Sequence, residues 1–134
     1  MSAFQTLQLP AGRMEPAPDG SGVRVLLRVA AGGMAHFELA AGTVSRAVVH
    51  RSVDEIWYVV SGSGEMWRRQ GEREEVTVLR PGVCLTIPVG THFQFRAAVH
   101  EGVGAIGVTM PPWPGDAEAA IVPGPWKAGN APAE

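Results

Sequence analysis

The chain has 134 residues and a formal net charge of −2, enough for one domain with a sizeable core. Its charges are scattered in sign with no basic stripe, which argues against nucleic acid as the main partner. Apolar residues make up 46% of the chain, but no run of them approaches the roughly eighteen needed to cross a bilayer. The single cysteine, Cys84, excludes an internal disulfide and any paired-cysteine metal or redox motif. The opening stretch MSAFQTLQLPAGR lacks a basic segment followed by an apolar one, so no secretion signal is expected and a soluble cytoplasmic protein is.

Residues 1–22 read as an N-terminal strand or arm. From Val23 the chain is cut into short segments by its 17 glycines and 11 prolines: VRVLLRVA, MAHFELA, TVSRAVVH, EIWYVVS, GEMWRR, EEVTVL, VCLTIP, HFQFRA and VGAIGVTM. Each is rich in β-branched or aromatic residues or alternates with period two, and each is bounded by turn residues such as Ser61-Gly62-Ser63-Gly64 or Pro81-Gly82. No window carries a helical period. Many short strands at this spacing predict an all-β sandwich or barrel over residues 23–110. Residues 111–134 (PPWPGDAEAAIVPGPWKAGNAPAE) are rich in proline and poor in alternation. They predict an extended arm lying on the barrel, anchored by Trp113 and Trp126, with one helical turn at 115–120 and a frayed end over the last eight or so residues.

The chemistry-bearing residues concentrate around Gly42–Gly64 and Gly82–Arg96. His50 and Glu55 flank a four-residue connection; extended chain would hold them about 16 Å apart, and a fold-back of residues 51–54 as a hairpin brings them into one space. Strand alternation puts Arg46, Val48 and His50 on one face, Glu55, Trp57 and Val59 on another, and His92, Gln94 and Arg96 on a third. If those three faces look inward, two imidazoles and a carboxylate share the interior. Burying them unpaired costs several kcal/mol, and a divalent metal is one resolution. The plainer alternative is an ordinary strand histidine beside a solvated turn carboxylate. The opposite phase of the 92–97 strand sets Phe93 and Phe95 on the outer face, suited to a sheet-to-sheet contact in a homodimer. Trp57, Met66 and Trp67 are candidate pocket walls or plain core. Arg46 and Arg96 are candidate anion clamps or solvated strand ends. Tyr58 is expected outside, His100 solvated, Cys84 buried, and no second site is expected at His36 and Glu38.

Gly42, His50, Glu55 and Gly62, followed by Gly82, Pro88-Val-Gly90 and His92, resemble the paired motifs of the cupin superfamily. The run HRSVDEIWYVVSGSGEMW with IPVGTHFQFR and MPPWPG is similar to one group of small single-domain cupins, over roughly residues 30–115. The resemblance implies a double-stranded β-helix, or jelly-roll, barrel, commonly dimeric, with its site inside. It implies a metal held by His50, Glu55 and His92, with Fe, Mn, Ni, Co or Zn all acceptable, and Gln94 as an extra ligand or substrate contact. It also exposes a departure, since the first histidine of the family pattern falls at Val48, which cannot ligate. Arg46, Val48, Trp57, Met66 and Arg96 are the candidate pocket residues. Two functions follow: a metal-dependent enzyme of oxygenase, isomerase or lyase type on a small oxygen-bearing substrate, or a non-catalytic ligand-binding or sensor cupin that has lost its metal.

Overall fold

The alternating segments close into two antiparallel sheets. The computed structural model describes residues 2–11 and 14–130. In chain order the strands are β1 (Glu15–Pro16), β2 (Gly22–Val29), β3 (Gly32–Leu39), β4 (Thr43–Val44), β5 (Val48–His50), β6 (Asp54–Gly62) and β7 (Gly64–Gln70). They continue with β8 (Arg73–Leu79), β9 (Cys84–Ile87), β10 (His92–Ala97), β11 (Val103–Met110), β12 (Ala119–Ile121) and β13 (Gly129–Asn130). One sheet has the order β1-β2-β3-β11-β6-β9. In the other, β10 is central, with β7 and then β8 on one side and both β4 and β5 on the other. This is the all-β double-stranded β-helix barrel. Among the described residues no helix is long and apolar enough to cross a membrane.

The core lies between the sheets. β6 sends Trp57 and Val59 inward and leaves Ile56, Tyr58 and Val60 exposed, a strict period of two. Leu85 and Ile87 of β9, Met66 of β7, Leu79 of β8 and Phe93, Phe95 and Ala97 of β10 complete it. Phe37 stacks on Trp57 with centroids 5.1 Å apart, and Phe95 meets Trp57 edge-on at 4.9 Å. Gly62 closes the turn between β6 and β7 at φ 73°, and a Cβ there would run into the Gly102 carbonyl.

β10 sits one residue out of phase with the sequence expectation. Phe93 lies opposite Val48 and Phe95 opposite Met66, so both phenyl rings face the core and are not available to a dimer contact. The energetics decide this: burying each ring gains about 2–3 kcal/mol, whereas the other phase would put an imidazole and a guanidinium in the core and take the Gln94 amide from the carbonyls it bonds. A one-residue slip exchanges every side chain of a strand between the faces.

The expected strand 43–50 is broken at Ser45–Ala47. There Ser45 Oγ replaces a backbone acceptor, taking the Phe95 N–H at 3.0 Å. Arg46 is turned into solvent, where its guanidinium donates to the Pro18 carbonyl at 3.1 Å. Residues 111–130 run along the barrel with a single 3-10 turn at Asp116–Glu118. β12 then pairs with β5, and β13 with β4. Gly129 and Asn130 are thus laddered where a frayed end was expected; residues 131–134 lie outside the described residues. Cys84, expected inside, is exposed on β9.

Candidate functional site

His50 ends β5 and Glu55 opens β6, and these strands belong to different sheets. The link at 51–53 is therefore a crossover between layers, not the expected hairpin. Glu118 of the C-terminal arm holds it: its carboxylate accepts from Ser52 N–H at 2.6 Å, Val53 N–H at 3.2 Å and the Ser52 hydroxyl. Its carbonyl accepts from Arg51 N–H at 3.0 Å. Burial alone would raise the Glu118 pKa, but these donors outweigh it and hold the pKa below the usual carboxylate value. The crossover brings His50 Nδ1 to 3.3 Å from Glu55 Oε2, with the two residues 5% and 2% exposed.

Glu55 is oriented by the indole N–H of Trp57, two residues along the same face, which donates to Oε1. Gly107, directly opposite Trp57 on β11, leaves room for this bond. A Cβ at Gly107 would lie 3.0 Å from Glu55 Oε1, 3.0 Å from Trp57 Nε1 and 2.8 Å from Phe37. Desolvation pushes the Glu55 carboxyl up to about 7, despite the Trp57 hydrogen bond, and the charge of Asp19 adds to the rise. Desolvation also takes His50 down to about 4, although Glu118 acts to raise it. A separation of 3.3 Å would suit an ion pair, yet burial disfavours both charges, and His50 Nδ1 makes no geometrically sound hydrogen bond. In mildly acidic solution the pair is uncharged and carries one proton, on Glu55.

The dyad opens onto a cavity of about 390 Å³. Val48, Phe93, Trp57, Phe37 and Gly107 form its inner wall, and β2 with residues 15–19 closes another side. Trp113 and Phe93 both meet the His50 ring edge-on, with centroids 5.1 Å and 5.0 Å away. Asp19 adds a second buried carboxyl, its Oδ1 accepting from Ser21 N–H at 2.9 Å and Ser21 Oγ at 2.6 Å. Asp19, Phe37 and Glu118 escaped the sequence reading. Asp19 lies in a Pro-Asp-Gly turn whose only local meaning is a bend, and Glu118 acts through a contact 66 residues away.

Of the sequence candidates, His50, Glu55, Val48 and Trp57 meet at this cavity. Met66 is plain core behind it. His92 lies opposite Val49 and Arg69, on the outer side of the sheet, with Nδ1 3.4 Å from an Arg69 nitrogen. Gln94 is buried on the same outer side, donating to the Ser45 and Trp126 carbonyls at 2.8 Å and accepting from Trp126 N–H at 3.2 Å. It ties down the arm and faces no ligand. Arg96 pairs with Glu65 at 2.6 Å and lies 4.0 Å over the Trp126 ring, and Arg46 faces solvent. The expected metal set therefore does not converge. Two of the three expected ligands, His50 and Glu55, reach the cavity, and among the described residues no three His, Cys, Asp or Glu side chains cluster to hold a metal.

Residues 35–106, more than half of the chain, match the family model for the cupin domain. The chain belongs to the cupin family. Comparison with curated proteins gives no match. Among solved structures, this cupin is similar to KdgF from Halomonas sp., at 18% identity and TM-score 0.69, over 84% of this chain and 97% of that one. It is also similar to a cupin protein from Bacteroides fragilis, at 21% identity and TM-score 0.62, over 83% and 86% of the two chains. A variant of oxalate decarboxylase from B. subtilis matches at 15% identity and TM-score 0.69, over 82% of this chain and 29% of that one. At such identities the likeness is one of fold.

Proposed function

We propose that this cupin binds a small, largely apolar organic molecule in the barrel cavity without a resident metal, with Glu55 and His50 as the polar end of the site. The observation that carries this reading is the buried Glu55–His50 pair, 3.3 Å apart, at the wall of an aromatic cavity of about 390 Å³. That volume falls within the range of small-molecule sites, which combine apolar walls with a few placed polar groups. Support for a metal-independent site comes from Val48 at the first ligand position and from His92 on the opposite side of its strand. Within such a cavity Glu55 can donate its proton to a bound oxygen or nitrogen, and neutral His50 can accept one, the elements of acid–base exchange.

The test is a titration of the purified protein with 2-phenylethanol, followed by tryptophan fluorescence, alongside uptake measurements with Zn²⁺, Mn²⁺ and Ni²⁺. Saturable quenching that is lost in Phe37→Ala, with no stoichiometric metal uptake, is the expected result. Stoichiometric metal that disappears in both His50→Ala and His92→Ala would overturn the reading in favour of the metal-dependent alternative.

A further inference from the structure

Carboxyl groups outnumber cations around the cavity. Glu55 and Asp19 are buried, at 2% and 7% exposed, and Glu15 and Asp116 stand exposed at the rim. Against them the described lining residues offer one guanidinium, the exposed Arg28, and a histidine that burial keeps neutral. Among the described residues, neither buried carboxyl has a buried cationic partner. Glu55 has an indole N–H and neutral His50, while Asp19 has the Ser21 amide and hydroxyl. Arg46 does act on Asp19 electrostatically, but its guanidinium lies in solvent on the Pro18 carbonyl. Burying carboxyls without a counter-charge is costly, and the cost is recovered when a cation arrives between them. The stacked Phe37 and Trp57, with Trp113 beyond His50, supply aromatic surfaces of the kind that attract cations as well as apolar bodies.

We propose that the ligand carries a cationic nitrogen, a protonated amine on an apolar body of aromatic size, with its ammonium between Glu55 and Asp19 and its body against Phe37, Trp57 and Trp113. The proposal rests on the cavity-binding reading above and names the chemical class of its ligand. An ammonium offers three donors. Glu55 Oε2 is free of the Trp57 bond, which is made to Oε1, and Asp19 accepts from Ser21 through Oδ1 alone. A ligand carboxylate, by contrast, would meet four acidic residues and, among the described residues of the lining, only Arg28 as a cation.

Three probes of nearly equal shape test it by calorimetry: 2-phenylethylamine, 2-phenylethanol and phenylacetate. At about pH 8 the amine is expected to bind at least about tenfold more tightly than the alcohol, with phenylacetate weakest. Asp19→Asn and Glu55→Gln should each bring the ratio of amine to alcohol affinity close to one, and a cooperative urea-unfolding transition in each variant shows that it is folded. Lowering the pH to about 5.5 should shrink the preference in the parent protein, since Glu55 then takes a proton in the free state. Equal affinity for amine and alcohol, or tightest binding of phenylacetate, overturns the cationic ligand while the cavity reading stands. If none of the three probes binds, the cavity reading falls and the proposal falls with it.

Discussion

Replacing Glu55 by glutamine removes a proton-binding site while keeping an acceptor for the Trp57 indole, and its effect on stability should depend on pH in a defined sense. Burial raises the carboxyl from an ordinary 4.5 to about 7, so the native state holds a proton that the unfolded chain releases between those values. Stability from this group is fully present below about 4.5 and is lost as pH rises to about 7. The gap corresponds to about 3 kcal/mol, at about 1.4 kcal/mol per pH unit. His50 works in the opposite direction: its drop from 6.5 to about 4 makes its contribution present above 6.5 and lost as pH falls to about 4. Between about 4.5 and 6.5 the native and unfolded states bind one proton each at this pair, on Glu55 when folded and on His50 when unfolded. The two slopes then cancel. Urea unfolding at a series of pH values should therefore show little slope from this pair in the parent protein. In Glu55→Gln, stability should climb by about 3 kcal/mol from pH 4 to pH 6.5 relative to the parent's profile. A difference between the two proteins that does not change with pH would refute the uncharged, one-proton dyad.

Gly107→Ala pushes a methyl against Phe37, Glu55 and Trp57 at once; a loss of about 1–3 kcal/mol in urea unfolding is expected, together with weaker 2-phenylethanol binding. Glu118→Ala leaves the Ser52 and Val53 amides of the crossover without their acceptor and should cost about 1–3 kcal/mol. Its signature is a shifted imidazole spectrum for His50, detectable by NMR, which a purely global loss of stability would not produce. Val48→His places a third donor beside His50 and Glu55 on the cavity wall and should raise Zn²⁺ affinity at least about tenfold over the parent, read by competition with a chromophoric chelator. Gln94→Leu strips both hydrogen bonds that hold Trp126, along with one to the Ser45 carbonyl, and faster proteolysis at residues 122–128 with an intact barrel is the expected outcome.

The strands were legible because most of them alternate in chemistry as well as in geometry. β6 alternates in burial, with Glu55, Trp57 and Val59 inside and Ile56, Tyr58 and Val60 exposed, and its β-branched and aromatic content marks it as a strand although both faces are mostly apolar. β10 alternates just as cleanly, and for that reason its phase was open to error: HFQFR presents two phenyl rings on one face and three polar side chains on the other. The motif pattern favoured His92 inside, but burial of the rings governs, and the same slip accounts for Gln94 and Arg96. Half of the candidate site was legible, since His50 and Glu55 do meet. What brings them together was not, because a crossover between sheets is held by Glu118, 63 residues beyond Glu55 in the chain. Asp19 and Phe37 were hidden for a related reason: their part in the cavity depends on which wall the N-terminal segment covers, and no local pattern encodes that.

The pairing of β12 with β5 has a consequence for the order in which the molecule is made. Ala119, Ala120 and Ile121 lie opposite His50, Val49 and Val48, some seventy residues earlier in the chain. As the polypeptide emerges from the ribosome, the strand carrying His50 keeps one edge open until that distant segment is free, and Glu118 reaches the crossover only at the same moment. Contacts of such long separation close slowly, and an open strand edge invites pairing with other chains. The barrel can gather around Trp57 early, but the catch that sets His50 against Glu55 is fastened last. Loss of chain beyond about residue 115 should therefore leave a collapsed barrel with an unfinished site and a tendency to associate.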